Sequence, residues 1–255
     1  MTIRFISKIS VALAAAGWLL CAQAQESDGA AELVLITPKA GQGPALEAAI
    51  AEYHHWVASK PGAWRYTWFQ IETGPDTGKY IARSGGHNWA DFDEDFDWEA
   101  EADAKFAADV LPLIEHSERW LSRQMADLSN MPEDMRGYTL FRVTNWYVKS
   151  GQFGKFNAGL EKIHKTLSEG GFKPHYGFAE MVSGGNANGI SLVIPMKGYA
   201  DFKDPQPSFF DVMSEALGGP EEFAQFMSDW GSTYEDGDSI LVRYLPEASD
   251  YGDAE

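Results

Sequence analysis

The sequence predicts an α+β protein in which one β-α-β-β-α-β unit is written twice in tandem. Three observations carry that expectation. A shift of about 110 residues superimposes chemically unusual residues of the two halves, each half runs through the same order of strand and helix signals, and glycine-rich turns punctuate both at matching places. Lys39-Ala40-Gly41-Gln42 falls on Lys149-Ser150-Gly151-Gln152, His54 on His164, Tyr66 on Tyr176 and Gly74 on Gly184. Trp89-Ala90-Asp91-Phe92 falls on Tyr199-Ala200-Asp201-Phe202, and Trp120 on Trp230.

Each half opens on a strand rich in β-formers, at 33–36 and 138–147. A helix follows. Pro44 sits where a helix can start without losing a donor. Leu46, Ile50, Tyr53 and Val57 mark one helical face, and Phe156, Leu160, Ile163 and Leu167 mark the same face in the second half. Lys60-Pro61-Gly62 and Gly170-Gly171 stop the two helices. Paired strands come next, 64–72 with 79–84 and 173–182 with 190–196. Their connections, Gly74-Pro75-Asp76-Thr77-Gly78 and Gly184-Gly185-Asn186-Ala187-Asn188-Gly189, have strong turn chemistry. A second helical region begins at each Ala-Asp-Phe, and a last strand closes each half near 121–128 and 239–245. The second half carries a few extra residues before that strand, around 232–238.

This order is the ferredoxin-like split unit. A four-stranded sheet with helices on one face leaves its other face bare, so two tandem copies can cover each other as an intramolecular dimeric α/β barrel. The expected boundaries are a leader at 1–24, a first repeat at 31–129 and a second at 137–246. The stretch 129–137, with Asn130, Pro132 and Gly137, is the natural linker.

The first residues read as a secretory signal. Arg4 and Lys8 give a basic start, 9–21 is apolar and small-residue rich, and Ala22-Gln23-Ala24 supplies a cleavage site with Gln25 as the new N-terminus. The apolar run is short for a membrane span, which takes roughly 20 residues. Cys21 follows Leu20 rather than a small residue, which argues against a lipoprotein. The expected address is periplasmic or secreted, with no membrane attachment after cleavage. The single cysteine leaves with the leader, so disulfides, thiolate ligands and a cysteine nucleophile are excluded from the mature chain. The formal charge of −18 sets the protein against nucleic acid and anionic lipid. The acidic clusters at 91–103 and 247–255 read as a solvated face and a tail.

The opening strand, the Lys-x-Gly-Gln turn into the first helix and the Ala-Asp-Phe of the second helical region resemble the dimeric α/β-barrel superfamily over 32–245. That grouping includes antibiotic-biosynthesis-type monooxygenases, NIPSNAP-like and EthD-like proteins, muconolactone isomerases and haem enzymes of the chlorite dismutase type. The resemblance implies a fold and leaves the activity open, because one fold hosts many chemistries.

His54 and His164 lie in equivalent places at the edge of the apolar face of the first helix. Each is able to act as a base or to bind a ligand group, and each also suits a packing role. Trp64, Tyr66 and Trp68 alternate along one strand and so share a face, as do Pro174, Tyr176 and Phe178. Aromatic side chains with a polar tip suit a ligand cavity and equally suit core. If histidine and tyrosine meet, each half holds a His–Tyr pair. His87 and Trp89 lie in Gly85-Gly86-His87-Asn88-Trp89, where a strand gives way to a helix start; Asn88, Asp91 and Asp201 read as caps. Metal ligation is poorly supported: Glu52/His55 and Glu161/His164 have i, i+3 spacing but are out of register between the halves. The expected ligand-binding set is therefore His54, Tyr66, Trp68, His87, Trp89, His164, Tyr176 and Phe178, with no metal and no catalytic assignment.

The composition fits an exported envelope protein that binds a small apolar or aromatic molecule in one or both repeats, as monomer or homodimer. A cofactor-independent monooxygenase or isomerase, or a haem protein, is the enzyme alternative. A structural role through exposed strand edges is the third. No cofactor is expected under the first reading.

Overall fold

A computed structural model describes residues 27–249. The leader and its cleavage site at Ala24, and the acidic end beyond residue 249, lie outside the described residues.

Eight strands and five α-helices occur among the described residues. The first half contains β1 (Ala30–Pro38), α1 (Gly43–Ala58), β2 (Thr67–Ile71), β3 (Tyr80–His87), α2 (Glu99–Asp109) and β4 (Ile114–Gln124). The second contains β5 (Leu140–Val148), α3 (Phe153–Glu169), β6 (Gly177–Ser183), β7 (Gly189–Met196), α4 (Phe209–Leu217), α5 (Pro220–Gly231) and β8 (Tyr234–Tyr244). The β-α-β-β-α-β order thus occurs twice, with one helix added in the second half. None of these helices is long and apolar enough to cross a membrane.

The chain forms two compact units, neither continuous in sequence. Unit 1 comprises 27–69, 78–119 and 245–249, and unit 2 comprises 70–77 and 120–244. In unit 1, β1 pairs antiparallel with β3, and β3 lies between β1 and β2. In unit 2 the strand order is β8-β5-β7-β6-β4, again antiparallel. The first-helix stripes pack as their periodicity requires: Leu46, Ile50, Tyr53 and Val57 join Val34, Ile36, Trp68 and Tyr80 in one core. Phe156, Leu160, Ile163 and Leu167 join Val148, Tyr176, Phe178 and Ile190 in the other. Each such fully buried large side chain contributes about 1.5–3 kcal/mol of transfer free energy.

Three features differ from the sequence expectation. The last strands start earlier, at Ile114 and Tyr234, because 114–120 exposes most of its side chains and so lacks an alternating apolar signal. Each Ala-Asp-Phe folds as a short 3-10 turn, Trp89–Asp93 and Tyr199–Phe202, and the helices proper begin later. The extra residues of the second half do not lie at 232–238. Elements up to those turns are offset by 110 residues while β4 and β8 are offset by 120, so ten residues enter between them, where the second half has two helices, α4 and α5, against the single α2.

Trp120 is therefore not the counterpart of Trp230. Trp120 lies on β4, whereas Trp230 ends α5 and matches Val110 at the end of α2. The signals for α4 were local. Ser208 accepts from the Asp211 backbone N–H at 3.1 Å while the Asp211 carboxylate accepts from the Ser208 N–H at 2.9 Å, a reciprocal cap. Gly218, at φ +102°, ends the helix, and Pro220 starts the next.

Candidate functional site

Both histidine–tyrosine pairs meet, each within one unit. In unit 1 the rings of His54 and Tyr66 are 5.6 Å apart, and in unit 2 those of His164 and Tyr176 are 6.0 Å apart. The reason is shared. The histidine lies on the buried flank of the first helix, and the tyrosine immediately precedes the second strand, on the face that the helix covers.

The bonding differs completely. In unit 1 the Trp68 indole N–H donates to His54 Nε2 at 2.7 Å. An accepting nitrogen carries no proton, so the proton of a neutral ring sits on Nδ1. The Tyr66 hydroxyl turns away and donates to Glu32, whose other oxygen accepts from the Arg119 guanidinium. Glu32 is only 1 % exposed. Burial first, and then the Glu32 carboxylate that accepts its proton, hold the Tyr66 phenol well above the ordinary tyrosine value. Trp64, Tyr66, Trp68 and His54 are all buried. This arrangement is a satisfied polar network inside a core.

In unit 2 the same positions carry other residues. Phe178 stands where unit 1 has Trp68 and offers His164 no donor; Arg142 stands where unit 1 has Glu32 and offers Tyr176 no acceptor. Histidine and tyrosine therefore bond each other, Tyr176 Oη to His164 Nδ1 at 3.1 Å. His164 is half-buried rather than buried, and its Nε2 has no partner among the described residues. Tyr176 is 5 % exposed, and burial raises its phenol pKa. Phe178 lies 5.9 Å from the Tyr176 ring and stacks at 6.3 Å on Trp146. The expected linker takes part: Asn130 forms a two-way backbone bridge with Tyr176, at 2.7 and 3.1 Å, and so fixes the tyrosine's backbone.

His87 and Trp89 lie at the end of β3 and in the turn after it, inside unit 1. The His87 ring stacks on Trp64 at 3.9 Å, meets the edge of Phe92 at 6.0 Å, and shares a 2.7 Å hydrogen bond between Nε2 and Ser84 Oγ. Burial lowers its pKa, opposed by Asp91. The Asp91 carboxylate accepts from the Asn88 backbone at 2.8 Å, and Asp201 accepts from the Lys197 backbone at 2.6 Å. Trp89 is anchored through its backbone N–H to Asp28 and lies 5.7 Å from Phe92. The structure thus gathers His54, Tyr66 and Trp68 in one cluster, His164, Tyr176 and Phe178 in a second, and His87 with Trp89 in a third.

Sequence reasoning missed Glu32, Arg119 and Arg142. The visible signal was a charged residue inside an otherwise apolar opening strand, at the same place in both halves and of opposite sign. Among the described residues no group of three or more His, Cys, Asp or Glu side chains is arranged to hold a metal ion.

No family model matches the chain, and no curated protein matches it in sequence. Solved structures do share its fold. A candidate monooxygenase from Fusobacterium nucleatum subsp. nucleatum superimposes with a TM-score of 0.57 at 10 % identity, covering 86 % of this chain and 93 % of that one. A candidate monooxygenase from Lactobacillus acidophilus gives 0.52 at 9 % identity, with 86 % and 94 % covered. A mutant chlorite dismutase from Candidatus Nitrospira defluvii, in complex with cyanide, gives 0.52 at 9 % identity, with 88 % and 93 % covered. At such identities the likeness concerns the fold alone.

Proposed function

We propose that this chain is an exported envelope protein that binds a small apolar or aromatic molecule beside His164 and Tyr176 of unit 2. The observation that carries this reading is the free Nε2 of a half-buried imidazole whose other nitrogen is held by a buried phenol. Such a nitrogen can donate to or accept from a ligand, while Phe178 and Trp146 supply apolar contact. The His54 nitrogen that would do the same in unit 1 is occupied by Trp68. We read the two halves as a tandem duplication whose sheets pair as one barrel, with one half keeping a ligand site and the other a structural core. The leader read from 1–24 directs the protein to the periplasm or outside. The domain boundaries 31–129 and 137–246, and a monomeric or homodimeric state, complete the proposal.

A screen of small aromatic molecules by thermal shift tests it, because a ligand that binds only the folded chain raises its melting temperature. His164→Ala is expected to abolish the shifts and His54→Ala to leave them in place. Shifts that survive His164→Ala overturn the assignment.

One observation favours a second reading, an enzyme of the monooxygenase or isomerase type. A histidine held by a phenol is a competent general base when its free nitrogen is unprotonated. Haem is a further form of this alternative, and only one of the two histidines fits it. His54 Nε2 is already an acceptor, whereas His164 Nε2 would be the nitrogen to hold the group if its Nδ1–H is given to Tyr176, the usual way an outer residue orients a ligating imidazole. Bound there, haem would supply redox chemistry at the aromatic face; a Soret band in the purified protein that disappears in His164→Ala is the expected sign.

A further inference from the structure

Arg142 has no hydrogen bond, ion pair or ring contact among the described residues, although it is half-buried in β5. Its alternation along β5 puts it on the same face as Leu140, Trp146 and Val148, the face that α3 covers. Its neighbours across the strands are apolar: Ile194 on β7 and Leu241 on β8. A guanidinium remains charged at any physiological pH, and leaving one among apolar groups without an acceptor is costly.

The sheet register places this charge level with the His–Tyr pair. Arg142 pairs with Ile194, and Gly177 pairs with Val193, so Tyr176, one residue before Gly177, is level with Ile194. Arg142, Ile194 and Tyr176 thus form one row. The corresponding residues of unit 1 are Glu32, Ser84 and Tyr66; Glu32 pairs with Ser84 across the strands, and the Tyr66 hydroxyl donates to the Glu32 carboxylate. In unit 2 Ile194 fills the middle, and the outer positions are a cation and a phenol.

We propose that unit 2 takes an anionic ligand, a carboxylate on an aromatic or apolar body, with the carboxylate held by Arg142 and the body lying toward His164 and Tyr176. The inference rests on the ligand reading above and names the class of ligand. Unit 1 supplies the precedent within the same molecule, since its buried carboxylate Glu32 lies between a guanidinium and the equivalent tyrosine. In unit 2 the carboxylate would come from outside. The planar guanidinium fork suits two-point binding of that group, and the charge in the row of Arg142, Ile194 and Tyr176 is positive although the chain's net charge is −18.

Calorimetric titration of the purified protein at low salt with benzoate, and with its neutral isostere benzamide, tests this. Benzoate is expected to bind at least about tenfold more tightly than benzamide. Arg142→Gln should weaken benzoate by about ten- to a hundredfold, leave benzamide unchanged, and be partly offset by Arg142→Lys. In the absence of ligand Arg142→Leu should melt no lower than the parent chain, since it removes an unpaired charge. Equal affinity for the two probes, benzoate binding indifferent to Arg142→Gln, or no saturable benzoate binding overturns the inference. If both probes bind equally and His164→Ala abolishes both, the ligand reading survives and the anion inference fails. If benzoate binding needs Arg142 but not His164, the anion site stands and the His–Tyr assignment fails.

Discussion

His54 and His164 occupy the same place on the same helix and have opposite fates. His54 is sealed by a tryptophan donor, and its tyrosine is committed to a buried carboxylate. His164 meets Phe178 in place of the tryptophan donor, its tyrosine meets Arg142 in place of the carboxylate, and the two bond each other, leaving one imidazole nitrogen without a partner among the described residues. Two substitutions on two strands convert a self-satisfied polar core into an open pair. A buried network is stable only when every donor and acceptor is matched, so changing two members re-pairs the rest. The lesson is that a residue match between halves locates a position, whereas its neighbours decide whether that position is core or site.

The sharpest way to break the comparison is to remove the acceptor in unit 1. Glu32→Ala removes the carboxylate that accepts from the buried Tyr66 hydroxyl and from Arg119. A loss of about 3 kcal/mol is expected in urea unfolding, where Arg142→Leu costs nothing. Equal effects at the two positions would mean that they are not the contrasting environments described.

The next largest effect lies where the second half packs differently. A Cβ on Gly159 would collide with the Trp230 ring, whose indole N–H donates to the Phe156 carbonyl at 3.0 Å. The counterparts in unit 1 are Ala49 and Val110, a larger residue facing a smaller one. Gly159→Ala should cost about 2 kcal/mol, and Trp230→Val in the same chain should recover part of that loss in thermal unfolding. Failure of the second change to compensate would show that the two positions do not exchange volume.

Trp68→Phe should cost about 1–2 kcal/mol and make His54 resemble His164. The expected sign is a shift of the His54 ring-nitrogen resonances toward those of His164, read by nitrogen-15 NMR. Unchanged resonances would show that the indole does not set the state of His54.

The smallest effect is one of pH. Burial lowers the His87 pKa in the folded chain, so below the ordinary histidine value of about 6.5 the unfolded chain takes up a proton that the folded chain refuses. Stability is therefore lost as pH falls from that value to the lowered one, and His87 contributes no pH dependence above it. His87→Phe, which can keep the stack on Trp64, should flatten that part of the stability–pH curve; an unchanged slope would place the titration elsewhere.

Element order and both first-helix faces were legible in the sequence, because the period of apolar residues and the glycine turns are local properties. The matching places of His54 and His164, and of Tyr66 and Tyr176, were legible too, whereas their meeting was only a condition. The start of β4, the added helix of the second half and the position of Trp120 were not legible. An exposed strand has no alternation to read, and the reciprocal cap of Ser208 with Asp211 starts a helix at which a constant offset between the halves breaks down.

The sequence by itself determined the repeated order of elements and the positions that face the helices, because side-chain period follows backbone geometry. Tertiary structure alone decided which of those positions has its polar atoms matched. Glu32 with Tyr66, and Arg142 level with Tyr176, are each 34 residues apart in the chain and are brought to one row only by strand pairing. Hydrogen-bond satisfaction is a property of that row as a whole, and no single residue in it carries the information.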